Sequence, residues 1–366
     1  MHGSYVRGNS IWQSYNRAVA VKGVHNLRVR DNVLYDVMGH AVFLEDAIEK
    51  RNLIQYNLVA TVRSSFSLLY TDQIPAAFWV SHPDNYLTGN SAVGSDGHGF
   101  WYDIPATSSG AYATTTVCPI GAKLGEFWKN KAHSNTLYGL RIHSGHSPRV
   151  DACAAVNSLT NPVLTAEYKD FEAWLNGRPG VIGGDMGAVV FKGLVLETNV
   201  LAGFEVEKDA NQAELVGYLD GATIIGYNPN RHVVFDEAPH GVITPRTERY
   251  WIKNVEFYNF NFTKSDGTQA AAIGTCSKCY SEINGYTDSD ARTTFFSGIR
   301  YNDVEGGTET QVIRYQHPYK AIIYDADCSV HSGRSQEGDD SVPDGPCWFS
   351  YRWRHNERAA WSTCAY

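Results

Sequence analysis

Glu45 and Asp46 stand side by side, and Asp103, His40 and His98 complete a set of residue types that could do acid–base chemistry. Glycosidic hydrolysis needs two positioned carboxyl groups, one protonated and one ionised. Glu45 paired with Asp46 or with Asp103 would supply them. Elimination at a uronic acid needs instead a cation or metal to neutralise the sugar carboxylate, and a base. Arg17, His40, His98 and Tyr138 are residues of those types. Each has a structural alternative. His40 precedes the apolar run Ala41-Val42-Phe43-Leu44, where a hydrogen-bonded structural histidine would look the same. Glu45, Asp46 and Glu49 equally suit a solvated turn, or one that is capped and binds Arg51.

Other candidates concern binding. Lys22, Arg28 and Arg30 alternate with Val21, Leu27 and Val29, and together with Lys50, Arg51 and Arg63 they suggest a basic strip suited to an anionic glycan. Trp12, Trp79, Trp101 and Trp128 are candidate platforms for sugar rings, although burial is the commoner fate of aromatic side chains. Asp325 and Asp327 fall on one face of a strand, and with Asp339, Asp340 and Asp344 nearby they are a candidate calcium site. Asn261-Phe262-Thr263 is an N-glycosylation sequon.

The elements that must position these residues are short strands, each ended by Gly, Asn or Asp. An apolar residue stands three before an asparagine at Val6/Asn9, Val29/Asn32, Ile54/Asn57, Leu87/Asn90, Phe127/Asn130 and Leu196/Asn199. The first asparagine spacings are 23 and 25 residues, and later ones stretch to 33 and 40, as loops inserted between rungs would produce. A strand-and-turn period of this size indicates a β-solenoid, in which asparagine side chains close tight corners and stack into a ladder. The alternative is a β-sandwich with asparagine in its turns. Successive rungs of a solenoid lie about 4.8 Å apart, so residues at equal offsets from the asparagine form columns. Eight residues on stand Arg17, His40, Ser65, His98 and Tyr138; thirteen on stand Lys22, Glu45, Tyr70, Asp103 and His143. His133 with Asn135 fits a further corner. Helical periodicity is rare, its best instance being residues 166–176, so at most one or two short helices are expected.

Longer segments carry a family resemblance. Residues 39–52, from Gly39-His40 through Glu45-Asp46 to Arg51-Asn52, resemble the G-H-x-F-F-x-E-D-G-x-E-x-R-N segment of the family comprising the cell-surface hyaluronidases, the cell-migration-inducing hyaluronan-binding protein and fibrocystin-L. Phe78-Trp79 with Pro83-Asp84-Asn85, Asn90 to Ser95, and Gly99 to Tyr102 resemble its F-W-x-x-x-P-x-N, N-x-A-x-G-S and G-x-W-[YF] segments. Leu124-Gly125-Glu126-Phe127 with His133-Ser134-Asn135, and Tyr324-Asp325-Ala326-Asp327-Cys328-Ser329-Val330, follow in the family's order. The resemblance implies an all-β, right-handed parallel β-helix over residues 1–335, followed by a Cys- and Trp-containing tail over 336–366 that packs on it. It also implies placement outside the cell or at its surface and, for some members, calcium-dependent cleavage of hyaluronan. Departures temper this. The family's preceding G8 domain is missing, and Met1 lies inside patterned sequence, as in a piece of something longer. The loop from Leu69 to Phe78 is short and lacks the hyaluronidases' cysteines. Asn199 to Phe204 lacks the histidine of the family's N-D-H-G-A-W rung, and Cys328 replaces a glycine. The sequence is therefore compatible with two functions: a carbohydrate-active β-helix acting on or binding an anionic polysaccharide such as hyaluronan, and a non-catalytic scaffold or adhesion module closer to fibrocystin-L that self-associates end to end.

Composition bounds the rest. Lys and Arg number 31 against 39 Asp and Glu, a net charge of −8, which disfavours a nucleic-acid partner. No run is long and apolar enough to span a membrane, and no secretory leader pattern is visible at the start. All seven cysteines lie from Cys118 onward, an odd count that leaves one unpaired or paired to another chain. Cys276 and Cys279 form a lone CxxC suggestive of a disulfide with another loop, and Cys328 and Cys347 bracket a loop they could staple.

Overall fold

A computed structural model shows a parallel β-helix. It describes residues 3–67, 69–143, 145–155, 159–208, 217–226, 240–244, 250–261, 263, 270–274, 293–302, 313–314, 322–327, 329–332, 347–351 and 360–364. The chain winds right-handedly, as parallel crossovers do, and each turn lays down three strands. The first face begins with Tyr5–Arg7, Arg28–Arg30, Leu53–Gln55, Tyr86–Thr88 and Glu126–Trp128, paired in parallel. The second begins with Ser10–Ser14, Val33–Met38, Leu58–Arg63, Ser91–Ser95 and Lys131–His133. The third is a ten-stranded sheet, whose rungs 1 to 5 are Val19–Val21, Val42–Leu44, Ala76–Val80, His98–Asp103 and Leu140–His143.

The corner between the first and second faces explains the repeat. One residue takes the left-handed conformation there: Gly8, Asp31, Tyr56, Gly89, Lys129, Asp170, Gly193, Gly221, Asn254 and Gly298 in successive rungs. Asparagine follows at Asn9, Asn32, Asn57, Asn90 and Asn130. Each inner Asn accepts at Oδ1 from the backbone and side-chain amides of the rung before, as when Asn57 receives Asn32 N at 3.2 Å and Asn32 Nδ2 at 2.8 Å. Its own Nδ2 donates to a strand carbonyl, Val29 O in the case of Asn57, at 2.9 Å. No polar atom of the buried amide is wasted, which is what burial of an amide demands.

Two expectations need correction. Asn199 does not continue this ladder. It ends a second one at the corner between the second and third faces, where Asn135 donates to Asn176 and Asn176 to Asn199, each at 2.9 Å. At the first corner the ladder stops at Asn130, and Phe171, Leu194, Ala222, Val255 and Ile299 occupy the later rungs, turning the corner into apolar core. Residues 166–176 are not helical but two strands, Ala166–Lys169 and Glu172–Trp174. Tyr168 and Phe171 are both fully buried because Asp170, at φ 50°, turns the chain between them. A corner of this kind brings residues i and i+3 to the same side and so imitates helical spacing.

The core is a stack of like on like: Val and Leu in the first rungs, then Phe78, Phe100, Phe127, Tyr168 and Phe191, all fully buried. At the far end Cys347–Tyr351 and Ala360–Cys364 add two antiparallel strands beyond Ile322–Asp325, so this part of the tail extends a sheet edge.

Candidate functional site

Insertions decide where a site can form. Rung 3 is preceded by residues 64–75, with a 3-10 turn at Tyr70–Gln73, and rungs 4 and 5 are followed by residues 104–125 and 144–165. The first two reach the outer surface of the third face, and the third packs on the second. The outward column there runs Ala20, Phe43, Trp79, Trp101 and Arg141 in register. Though outward, Phe43, Trp79 and Trp101 are only 2%, 6% and 7% exposed. Trp79 lies 4.5 Å from Trp101 and 4.3 Å from the His40 ring, and two guanidiniums close the stack: Arg17 at 4.1 Å over Phe43 and Arg141 at 4.4 Å over Trp101.

Beside this stack opens a cleft of about 380 Å³ lined by Phe43, Trp79, Glu45, Asp46, Ser81 and Asp103, with Leu69, Tyr70, Thr71, Pro105 and Ser109 from the insertions. The three carboxylates named from the sequence therefore meet at one place. Glu45 accepts from Lys22 at 3.0 Å. Asp103 faces His143 Nδ1 at 3.5 Å. Asp46 is almost wholly buried; its Oδ1 lies 3.8 Å from Lys22 Nζ and its Oδ2 has no hydrogen-bond partner. Glu49, by contrast, is a turn cap: its carboxylate accepts from Gly23 N and Asp46 N.

The two histidines lie beneath the site, not in it. His40 is fully buried; Nδ1 accepts from Ala76 N at 3.0 Å, which leaves the proton on Nε2, 3.2 Å from Thr71 Oγ1. Burial lowers its pKa to about 3, and neighbouring Arg17 adds to the shift. His98 accepts from Arg141 at 3.2 Å and stacks on Tyr138 at 5.3 Å, and burial likewise holds it well below the ordinary histidine value. Both are neutral supports for the insertions and the aromatic stack. Arg17 is spent in the same way, donating to buried Asp72 at 2.8 Å; Asp72 also accepts from His40 N and Leu69 N, tying residues 64–75 down. Asp72 was not singled out in the sequence, and no spacing there marks it.

The columns keep their register except where the insertion at 64–75 intervenes. In rung 3 the positions expected for Ser65 and Tyr70 belong to Ala76, opposite His98, and to Ser81. The basic strip is dispersed. Arg28 and Arg30 point outward from the first face, Arg30 and Arg7 sharing Asp31. Arg51 lies 3.8 Å from Asp84, Arg63 pairs with Asp36, and Lys22 belongs to the cleft edge. Trp12 is exposed, and the Trp128 indole donates to Asp170 at 2.6 Å. Asp325 and Asp327 spend oxygens on backbone amides: Asp325 receives Val330 N, and Asp327 receives Gly298 N and Ser329 N. Among the described residues no three His, Cys, Asp or Glu side chains gather as a metal would require. Asp339, Asp340, Asp344, Cys276, Cys279 and Cys328 lie outside the described residues, as does the side chain of Cys347. A disulfide that the sequence did not indicate, Cys118–Cys153, joins the two later insertions. Asn261 of the sequon is half-buried just after the strand Tyr250–Tyr258. No helix among the described residues is long and apolar enough to cross a membrane.

Residues 1–140 match the family model described as the CEMIP beta-helix. Mouse fibrocystin-L is 31% identical over 355 residues, 90% of this chain and 8% of that protein. Human cell surface hyaluronidase CEMIP2 is 33% identical over 171 residues, 39% of this chain and 12% of that one. The chain thus spans about a tenth of the relatives it matches. Among solved structures, the A-module of Azotobacter vinelandii mannuronan C-5 epimerase AlgE6 aligns with 87% of this chain and 80% of its own at TM-score 0.41 and 11% identity. Residues 1–140 thus carry the CEMIP β-helix domain, and the chain is similar in sequence to fibrocystin-L over most of its length and to the cell-surface hyaluronidases over a shorter stretch.

Proposed function

We propose that the third-face cleft binds a polysaccharide, in the manner of a hyaluronidase-type β-helix, and that Glu45 and Asp103 are its acid–base pair. The observation that carries this is the convergence of Glu45, Asp46 and Asp103 on one cleft beside Trp79. Glu45 and Asp103 occupy the same outward column two rungs apart, with Ser81 between them. Two steps of about 4.8 Å put their backbones about 9.6 Å apart, a spacing compatible with the wider carboxyl separation that leaves room for water in inverting hydrolysis. Elimination is the weaker alternative, because its candidate bases His40 and His98 are buried, Tyr138 is stacked on His98 with its phenol held above the ordinary tyrosine value by burial, and Arg17 is held by Asp72. The Cys118–Cys153 disulfide and the "cell surface" of the relatives' names support placement outside the cell or at its surface.

The test is incubation with hyaluronan and other uronate polymers, with and without calcium, followed by sizing of the products. Shortened chains of inverted anomeric configuration, lacking an unsaturated uronate, are expected, with Glu45→Gln and Asp103→Asn each lowering the rate at least about 100-fold. Unchanged polymer lengths across the panel remove the catalytic part. A second reading, a glycan-binding scaffold that does not cut, is favoured by the extent of similarity to fibrocystin-L, 90% of the chain against 39% for CEMIP2. It expects binding to survive without cleavage. End-to-end self-association, the further part of this reading, expects mass by light scattering to rise with concentration.

A further inference from the structure

We infer that the sugar unit seated in the cleft beside Trp79 is uncharged and rich in hydrogen-bond donors, and that a uronate is excluded from this position. The inference rests on the reading of the cleft as a glycan site and adds the class of sugar that occupies it.

Two observations carry it. The first is Asp46. The residue is 3% exposed, Oδ2 has no partner, and Oδ1 has only the Lys22 ammonium at 3.8 Å. A buried carboxylate oxygen left without a hydrogen bond is costly, so the position calls for a donor. Asp46 lines the cleft, and because Oδ2 is enclosed by the protein, a donor from the cleft meets this carboxylate through Oδ1: a hydroxyl or an amide N–H. Gly110 presses on the same carboxylate from residues 104–125, where a Cβ would fall within 2.2 Å of Asp46 Oδ1, so that side is closed to a larger group.

The second is the charge of the lining. Glu45, Asp46 and Asp103 are all lining residues, and the lining includes no lysine or arginine. The cations nearby are committed: Lys22 to Glu45, Arg17 to Asp72. A sugar carboxylate here would face Asp46 and whichever of Glu45 and Asp103 is ionised, with the nearby cations already paired, an arrangement repulsive by Coulomb's law and poorly screened when part-buried. Trp79 and Phe43 add the apolar surface on which the C–H face of a neutral ring packs. In a polymer that alternates uronate with hexosamine, the hexosamine takes this position and the uronates lie beyond the acidic lining.

The test is calorimetric titration of the whole chain with three oligosaccharides: an uncharged N-acetylhexosamine oligomer, a hyaluronan oligomer and a uronate-only oligogalacturonate. The neutral oligomer is expected to bind, and oligogalacturonate to bind at least about tenfold more weakly. Asp46→Asn is expected to weaken the neutral oligomer by about 10- to 100-fold, the worth of a hydrogen bond to a charged acceptor, while narrowing the gap to oligogalacturonate. Asp103→Asn, at a more exposed edge of the cleft, serves should Asp46→Asn fail to fold, and is expected to narrow the same gap. Oligogalacturonate binding as tightly as the neutral oligomer, or a gap unmoved by the folded variants, overturns this inference and leaves the glycan reading standing. Binding by none of the three overturns both.

Discussion

Trp79 and Trp12 hold comparable outward positions on different faces of the solenoid, yet Trp79 is 6% exposed and Trp12 65%. Their columns are both aromatic near the start of the chain: Phe43, Trp79 and Trp101 on the third face, Trp12 and Tyr35 on the second. What differs is cover. The insertions leave the chain at the two edges of the third face, whereas among the described residues the corner between first and second faces turns through a left-handed residue, followed by asparagine in the first five rungs, and carries none. An asparagine bonded in both directions along a ladder has no room for an inserted loop, so that corner stays tight. The β-helix makes columns on every face, and insertions turn one of them into an enclosed site.

If the cover is what distinguishes the faces, acid should attack the covered one first, and this is the largest effect expected. His40 lies under residues 69–76, and His146 lies under residues 118–122, donating to Ala122 O at 2.9 Å. Burial lowers His40 and His82 to about 3 and His146 to about 4. A folded-state value below the unfolded 6.5 means that the stabilisation is complete above pH 6.5 and lost as pH falls toward 3 to 4. At pH 5 each of these imidazoles costs about 2 kcal/mol. Thermal melts and limited proteolysis at pH 7 and pH 5 are expected to show a lower midpoint and cleavage within 64–75 and 104–125. An unchanged midpoint would count against buried imidazoles as the supports.

Truncation compares the two faces directly. Trp79→Ala removes a buried indole packed on Trp101 and the His40 ring, and is expected to cost about 4 kcal/mol. Trp12→Ala is expected to change stability by no more than about 0.5 kcal/mol. Urea unfolding of both variants measures this, and equal losses would erase the distinction.

These residues also show how far the sequence could be read. The Asn9-to-Asn130 ladder was visible because its spacing is fixed by hydrogen bonds that only asparagine makes in both directions. Glu45 and Asp103 could be placed in one column because rungs 2 and 4 each keep their offset from the asparagine. Rung 3 breaks the count: Ala76 and Ser81 stand where the offset points to Ser65 and Tyr70, because nothing local marks the length of an inserted loop. Residues 166–176 looked helical because a corner reproduces the i, i+3 spacing. Asp72 and the Cys118–Cys153 pair were invisible for a related reason: both act between insertions or across rungs, and their partners are set by how loops fold back.

That disulfide offers the finest test of the comparison. It joins residues 104–125 to 144–165, which also meet through Ser147 N to Ile120 O and Arg149 N to Gly121 O, both 2.9 Å. The loop it closes spans 35 residues, for which chain entropy sets a stabilisation of about 4 kcal/mol. Much of this belongs to the insertions alone, because the rungs beneath keep their ladders and core. In Cys118→Ser with Cys153→Ser, the global unfolding midpoint should therefore fall by less than that figure implies, while amide exchange at Ser147 and Arg149 accelerates. Trp79 should become more accessible to a soluble fluorescence quencher, since Pro105 and Ser109 beside it belong to the released insertion. If quenching is unchanged, Asp46 O receiving Ser109 N at 2.9 Å and His146 holding Ala122 are enough to keep the cover closed, and the enclosure of the third face is due to hydrogen bonds rather than to the covalent link.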